Sequence, residues 1–265
     1  MTVNNSNRPA CLSVVIPAFN EEATLELVVR KVLAVVPFLQ EIVIVDDCST
    51  DRTAEIAAKL AESIELVRFV RHPKNSGKTE ALKTGFALTQ GDIVIVQDAD
   101  LEYDPSEIAD VIQPILDGHA DVVYGSRFLV RKTARVLYFY HYLANKALTF
   151  SSNVMTNLNM SDVETGYKAF RKEIIRNMVI VSNGFGFEIE VTAKIAKLKC
   201  AIYEVPISYY GRTYDEGKKI GLMDGVAAFW FILRFNIFCG LRSSFRQQPQ
   251  LQPVIDRQPT RALDA

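Results

Sequence analysis

Residues 93–104 read Ile-Val-Ile-Val-Gln-Asp-Ala-Asp-Leu-Glu-Tyr-Asp. Four apolar residues bounded by polar ones predict a buried strand, and the acidic residues begin where it ends. Alternation along a strand puts Asp98, Asp100 and Glu102 on one side for as long as the extended geometry lasts. Carboxylates so crowded repel one another unless a cation offsets them. Hard oxygen ligands suit Mg²⁺ or Mn²⁺, with water and phosphate completing the shell. A solvated acidic loop is the alternative for an Asp-x-Asp taken alone.

The flanking segments decide between the two. Apolar runs at 12–18, 42–45, 64–70, 92–97 and 121–124 read as strands. Helical patterns fall between them at 23–36, 51–62, 78–89 and 105–116, the second opened by the capping residues Ser49 and Thr50. Strand–helix alternation with short connections predicts an α/β fold, a mostly parallel sheet with helices on both faces. In such sheets ligands bind at the carboxyl ends of the strands. Three polar motifs fall at those ends: Pro-Ala-Phe-Asn-Glu-Glu (17–22), Asp-Asp-Cys-Ser-Thr-Asp (46–51) and the acidic turn itself. Their coincidence favours a ligand cleft containing a metal.

Composition narrows the rest. With 265 residues, 49% of them hydrophobic, the chain can bury one large core plus appendages. A net charge of −1 carries no signature of a polyanion binder, so no nucleic-acid partner is expected and phosphate affinity must be local. Cys11, Cys48, Cys200 and Cys239 lack metal-ligand spacing and fit reduced thiols, and the three histidines are too dispersed for a zinc site. The N-terminal residues MTVNNSNRPA lack a secretory pattern, and a cytoplasmic location is expected. Segment 221–241 is apolar but contains Asp224, Arg234 and Asn236, which suits an interfacial amphipathic helix better than a span. The expected organisation is a catalytic domain over 10–219, an amphipathic helix over 220–242 and a loose polar tail over 243–265.

Some motifs bear on binding directly. Asp46, Asp47 and Asp51 stand where a strand hands over to a helix. Capping explains one of them, and an adjacent pair leaves a carboxylate for a base or ribose hydroxyl. Gly77 and Lys78 precede a helix, where an anion can approach, but the glycine spacing of a Walker loop is missing. Arg127 follows Gly125-Ser126 at another strand end, as a phosphate ligand or a surface ion pair.

The set Val-Val-Ile-Pro-Ala-Phe-Asn-Glu (14–21), Val-Asp-Asp-x-Ser-x-Asp-x-Thr (45–53), Asp-Ala-Asp (98–100) and Gly-Ser-Arg (125–127) resembles the family 2 glycosyltransferases of the GT-A fold. Within them it is most similar to the polyprenyl-phosphate sugar synthases, over residues 12 to about 220. The resemblance implies that Pro17, Phe19, Glu21, Val45 and Asp47 hold the nucleoside of a GDP- or UDP-sugar, GDP-mannose or UDP-glucose being the expected donors. It implies that Asp98 and Asp100 hold Mg²⁺ or Mn²⁺, with Ala99 against the nucleotide and Glu102 near the metal. Arg127 and Arg135 resemble arginines that receive an acceptor phosphate. Arg212 and Lys218 match cationic positions of a mobile loop, and Lys78 lies beside the nucleotide. Two departures stand out: Glu102 replaces a frequent Gln, and Thr79 a frequent Gly.

The activity so implied is transfer of a hexose to polyprenyl phosphate. A saccharide acceptor would need a base, for which Asp162 and Glu164 are candidates; a non-catalytic nucleotide-binding scaffold is the reading from another class. Two aromatic-rich segments, 136–150 and 229–238, have Arg131, Lys132, Arg135, Arg234 and Arg242 nearby. Such segments suit a membrane interface, a membrane-protein partner, or packing within the fold or a dimer.

Overall fold

The structure, a computed structural model, describes residues 11–35, 38–129, 133–136, 138–184, 186–212, 222–253 and 257. Strands β1 (Leu12–Ala18) and β4 (Ile93–Val96) are buried at every position, and β2 (Leu39–Asp46) over its last six. Continuous apolar runs are what parallel strands covered on both faces require. With β3 (Val67–Arg71), β5 (Val122–Ser126), β6 (Lys168–Arg171) and β7 (Ile202–Pro206), they form one sheet in the order β3-β2-β1-β4-β6-β5-β7. Only β6 runs antiparallel, to β4 on one side and β5 on the other.

Period-two alternation divides the core. Leu12, Val14 and Ile16 face helices α1 (Leu25–Val35), α2 (Thr53–Ser63) and α4 (Ile108–Leu116). Val15, Val94 and Val96 face α3 (Lys78–Leu88), α6 (Lys172–Asn177) and α7 (Phe187–Leu198), where Phe86 and Phe187 lie 5.6 Å apart. Beyond α7, helices α5 (Phe139–Thr156) and α8 (Leu222–Ile237) share a small core of Leu148, Val163, Ile189, Ala228 and Ile232. A last turn of helix, α9, spans Leu241–Ser244.

The expected strands and helices of the first half are all present, with ends shifted by a few residues. The helix expected from 105 opens as a 3₁₀ turn over Pro105–Glu107, because the Asp104 side chain accepts from the Ser106 amide and proline occupies the first position. Strands β6 and β7 had no apolar run to mark them. β6 is four residues with charged ends, and its backbone is satisfied by partners on both sides.

The loose tail expected from residue 243 is a correction over 243–253 and 257. Phe245 is buried in the core beside α7 and bridges to Met178. The Val179 amide donates to Ser244 O (2.9 Å) and the Arg246 amide to Asn177 O (2.7 Å). Arg257 Nη1 lies 2.8 Å from the buried Asp121 carboxylate. Average polarity hid one aromatic anchor and one charged one. Phe245→Ala is accordingly predicted to cost about 3 kcal/mol in urea unfolding. A segment outside the core would lose almost nothing.

Candidate active site

The carboxyl ends of β1, β2 and β4 converge as parallel neighbours, Pro17 standing in register with Val45. The acidic turn follows β4 and reverses through Leu101, whose φ of 62° lies in the left-handed region. Asp98, Asp100 and Glu102 are all engaged, the last two by Arg212. Lys78 Nζ, at the start of α3, reaches Asp98 at 2.8 Å and lies 3.6 Å from Glu188 on α7. Arg212 Nη2 contacts Asp100 Oδ2 at 2.7 Å and lies 3.4 Å from Glu21. Glu102 accepts from the Tyr209 hydroxyl (2.9 Å) and the Arg212 amide (2.8 Å). Gly166 fits against this turn because a Cβ there would come within 2.7 Å of Asp98 Oδ2.

The pairs do not remove the electrostatic stress. Burial, then Asp98 and Glu102, push the Asp100 carboxyl up to about 7 despite Arg212. Burial opposes the Lys78 charge, but Asp98 and Glu188 outweigh it and hold its ammonium above the usual range. Behind the turn, burial and Glu188 raise Glu164 to about 7, while burial lowers Lys168 to about 8. Glu164 Oε1 and Glu188 Oε2 are buried with no hydrogen-bond partner among the described residues.

Asp47 is differently engaged. Its two oxygens accept from the amides of Ser76 (3.0 and 3.1 Å) and Gly77 (2.6 Å), and from His72 Nδ1 (2.7 Å). It closes the turn that delivers Lys78. Asp46 accepts from the Ser49 amide and lies 3.2 Å from Arg71 Nε. Asp51 accepts from the Glu22 and Thr53 amides in the turn before α2, whose N-cap is Arg52 and carries no side-chain cap, so neither Asp51 nor the expected Ser49 and Thr50 caps that helix. Val45 and Ala99 are buried, Val45 against Ala81. Phe19 stays partly accessible beside Ala18. Thr79 donates to Gly184 O at 2.8 Å, anchoring α3 to the loop before α7 where glycine would offer no hydroxyl.

Arg127 is held by Asp162, with Nε and Nη2 each 2.7 Å from its oxygens. Its guanidinium lies over the Tyr209 ring, 5.2 Å from the centroid. Asp162 is fully buried and committed to Arg127, and Glu164 lies beside it with one oxygen buried. The Arg135 amide donates to Tyr209 O (3.0 Å), and its Nη1 donates to Gly211 O (3.2 Å). Lys218 lies outside the described residues. Sequence reading passed over Tyr209 and Glu188. The Tyr-Tyr pair three residues before Arg212 was the available signal for one; nothing local marked the other.

Among the described residues no three His, Cys, Asp or Glu side chains gather as a metal-binding group. Asp98 and Asp100 nevertheless fit a divalent cation of the magnesium type. Such ions take one or two carboxylates and draw their remaining ligands from water and substrate phosphate. The repulsion that raises Asp100 is what such an ion would relieve.

The model of the family described as "Glycosyl transferase family 2" matches residues 13–179. The chain belongs to this family. It is a glycosyltransferase. It is 32% identical to the dolichol-phosphate mannosyltransferase of Pyrococcus furiosus over 79% of its own length, and spans 59% of that relative. It is 29% identical to the undecaprenyl-phosphate mannosyltransferase of Micrococcus luteus, covering 80% of this chain and 89% of the relative. The fold of this family 2 glycosyltransferase is GT-A. It is shared with glucosyl-3-phosphoglycerate synthase of Mycobacterium tuberculosis at a TM-score of 0.66 and 24% identity, over 86% of this chain and 80% of that one. That neighbour has also been crystallised with Mn²⁺ and UDP-glucose.

A carboxyl whose pKa rises on folding binds more protons folded than unfolded, so stability falls as pH climbs from about 4 to the folded value near 7. Asp100→Asn is predicted to flatten that fall and to raise the Tm of the metal-free protein by about 3 °C at pH 8, with little change at pH 5. Thermal scans at both values check it.

Proposed function

We propose that this glycosyltransferase moves a hexose from a GDP- or UDP-sugar to the phosphate of a polyprenyl phosphate at the cytoplasmic face of a membrane. The observation that carries the lipid acceptor is the outward face of α5 and α8. Phe139, Tyr140, Leu143, Phe150 and Val154 on α5, and Val226, Trp230, Leu233 and Ile237 on α8, are all exposed. The α8 set recurs every three or four residues and the α5 set falls within an arc of about 100°, so each lies on one helix face. Residues 139–157 contain no Asp or Glu. Neighbouring apolar faces of this kind suit a lipid interface. No described helix is long and apolar enough to cross a membrane, so contact along the surface is the matching mode. Helix α5 begins four residues after Arg135, which brings the apolar face to the candidate acceptor phosphate site. The mannosyltransferase relatives, named for polyprenyl phosphates, support the same reading.

Pro17, Phe19, Glu21, Val45, Asp47 and Ala99 would line the nucleoside site, and Asp98 and Asp100 would hold Mg²⁺ or Mn²⁺. The ion would supply Lewis-acid stabilisation of the leaving diphosphate. Lys78 and Arg212, already on these carboxylates, would add positive charge beside it. An acceptor phosphate oxygen is anionic without a general base. It would attack the anomeric carbon opposite the diphosphate; the new carbon–oxygen bond forms as the old one breaks and its electron pair leaves on the nucleoside diphosphate. The sugar is then inverted. Arg127, fixed by Asp162, and Arg135 would orient the acceptor phosphate.

The test incubates purified protein and Mn²⁺ or Mg²⁺ with labelled GDP-mannose or UDP-glucose, offering either undecaprenyl phosphate in vesicles or 3-phosphoglycerate. Label in lipid only with metal and polyprenyl phosphate is expected. Label in phosphoglycerate alone would overturn the lipid reading. Asp100→Ala should lower turnover roughly 100-fold or more. Replacing Phe139, Phe150 and Trp230 together with Ser should raise KM for vesicle-borne acceptor about ten-fold, with sedimentation showing weaker vesicle binding.

A further inference from the structure

Glu102 was expected beside the metal, yet its contacts run the other way. Oε2 accepts from the Tyr209 hydroxyl at 2.9 Å and Oε1 from the Arg212 amide at 2.8 Å, while its carbonyl accepts from the Tyr210 amide at 3.0 Å. Three hydrogen bonds thus fasten one residue of the catalytic turn to segment 209–212. The same segment is tied elsewhere along its length. Glu107 accepts from the Ser208 amide and hydroxyl at 2.8 and 3.0 Å. Tyr209 exchanges backbone hydrogen bonds with Thr133 and Arg135, and its ring lies against Tyr103 and beneath Arg127. At its end Arg212 reaches Asp100.

We propose that Glu102 is a positioning residue rather than a metal ligand: it clips residues 209–212 to the acidic turn, and through that strut fixes Arg212, Arg127 and Arg135 relative to Asp100. The inference rests on the reading of Asp98 and Asp100 as the metal pair. A carboxylate suits the clip because it accepts two donors at once, from a hydroxyl and an amide approaching its separate oxygens. A glutamine carboxamide has one acceptor oxygen and would retain one of the two. Each oxygen is turned toward segment 209–212 by its own donor, so the clip sets where the remaining lone pairs of the carboxylate point.

Two measurements on the full-length protein separate the roles. Hydrogen exchange at the Arg212 amide, without metal or nucleotide, reads the clip alone. Exchange roughly ten-fold or more faster in Glu102→Ala and Tyr209→Phe is expected; unchanged exchange in Tyr209→Phe, a change of one hydroxyl, would overturn the proposal. Mn²⁺ affinity in the presence of GDP or UDP, followed by electron paramagnetic resonance, reads coordination. Glu102→Ala and Glu102→Gln both remove the charge, so the comparison between them isolates the ligand atom. Affinities agreeing within about threefold support the clip, and weaker binding by Ala beyond that marks Glu102 as a ligand. A wild-type protein that takes up no Mn²⁺ would remove the metal reading of Asp98 and Asp100, while the exchange measurement would still decide the clip.

Discussion

Carboxylates gathered at the carboxyl ends of buried strands must each find a counter-charge or a donor, and that constraint organises the cleft. Desolvation makes an unpaired anion costly there, and neighbouring anions add to the cost. The chain answers with four arrangements: Lys78 on Asp98, Arg212 on Asp100, Arg127 on Asp162, and the Ser76 and Gly77 amides on Asp47. Each arrangement also draws in a distant piece of chain. The start of α3, the segment before residue 213 and the end of β5 are all held at the cleft by an ion pair whose other partner is acidic. The residual stress on Asp100 is what a bound cation would relieve.

The same constraint separates positioning from chemistry. Asp47 and Asp51 sit in a motif that the family resemblance assigns to the nucleotide region, yet their oxygens are engaged with backbone amides of neighbouring turns. Arg127 cannot be considered apart from Asp162, since removing either would leave the other buried and unpaired. Tyr209 links that pair to the acidic turn, its ring under the guanidinium and its hydroxyl on Glu102. The Arg127–Asp162 pair and the acidic turn are therefore mechanically continuous through one short segment.

The chain shares its family with polyprenyl-phosphate mannosyltransferases and its fold with a synthase named for a phosphoglycerate product. In this chain one half of the cleft is formed by the ends of β1, β2 and β4, and the other half by segments after β5. Here that second half places α5 and α8 side by side with aromatic residues facing outward. Arg127, Arg135 and Arg212 lie in that half as well.

Much of this was legible from the amino-acid order. Continuous apolar runs bounded by capping and turn residues marked β1 to β5 and α1 to α4, because strands buried on both faces and amphipathic helices each leave a periodic trace. The acidic turn and Arg127 could be named because strand ends collect ligands, Lys78 because it opens a helix, and Arg212 only through the family resemblance. What depended on tertiary structure was pairing. β6 and β7 exist by virtue of neighbours distant in sequence, Phe245 is core only because α7 offers a surface to it, and Glu102 turns toward Tyr209 and Arg212 from more than 100 residues away. Sequence determined which chemical groups were available and at which strand end; the fold decided which of them touch. Periodicity is a local property of the chain, whereas the partner of a buried charge is set by whichever segment the packing brings within reach.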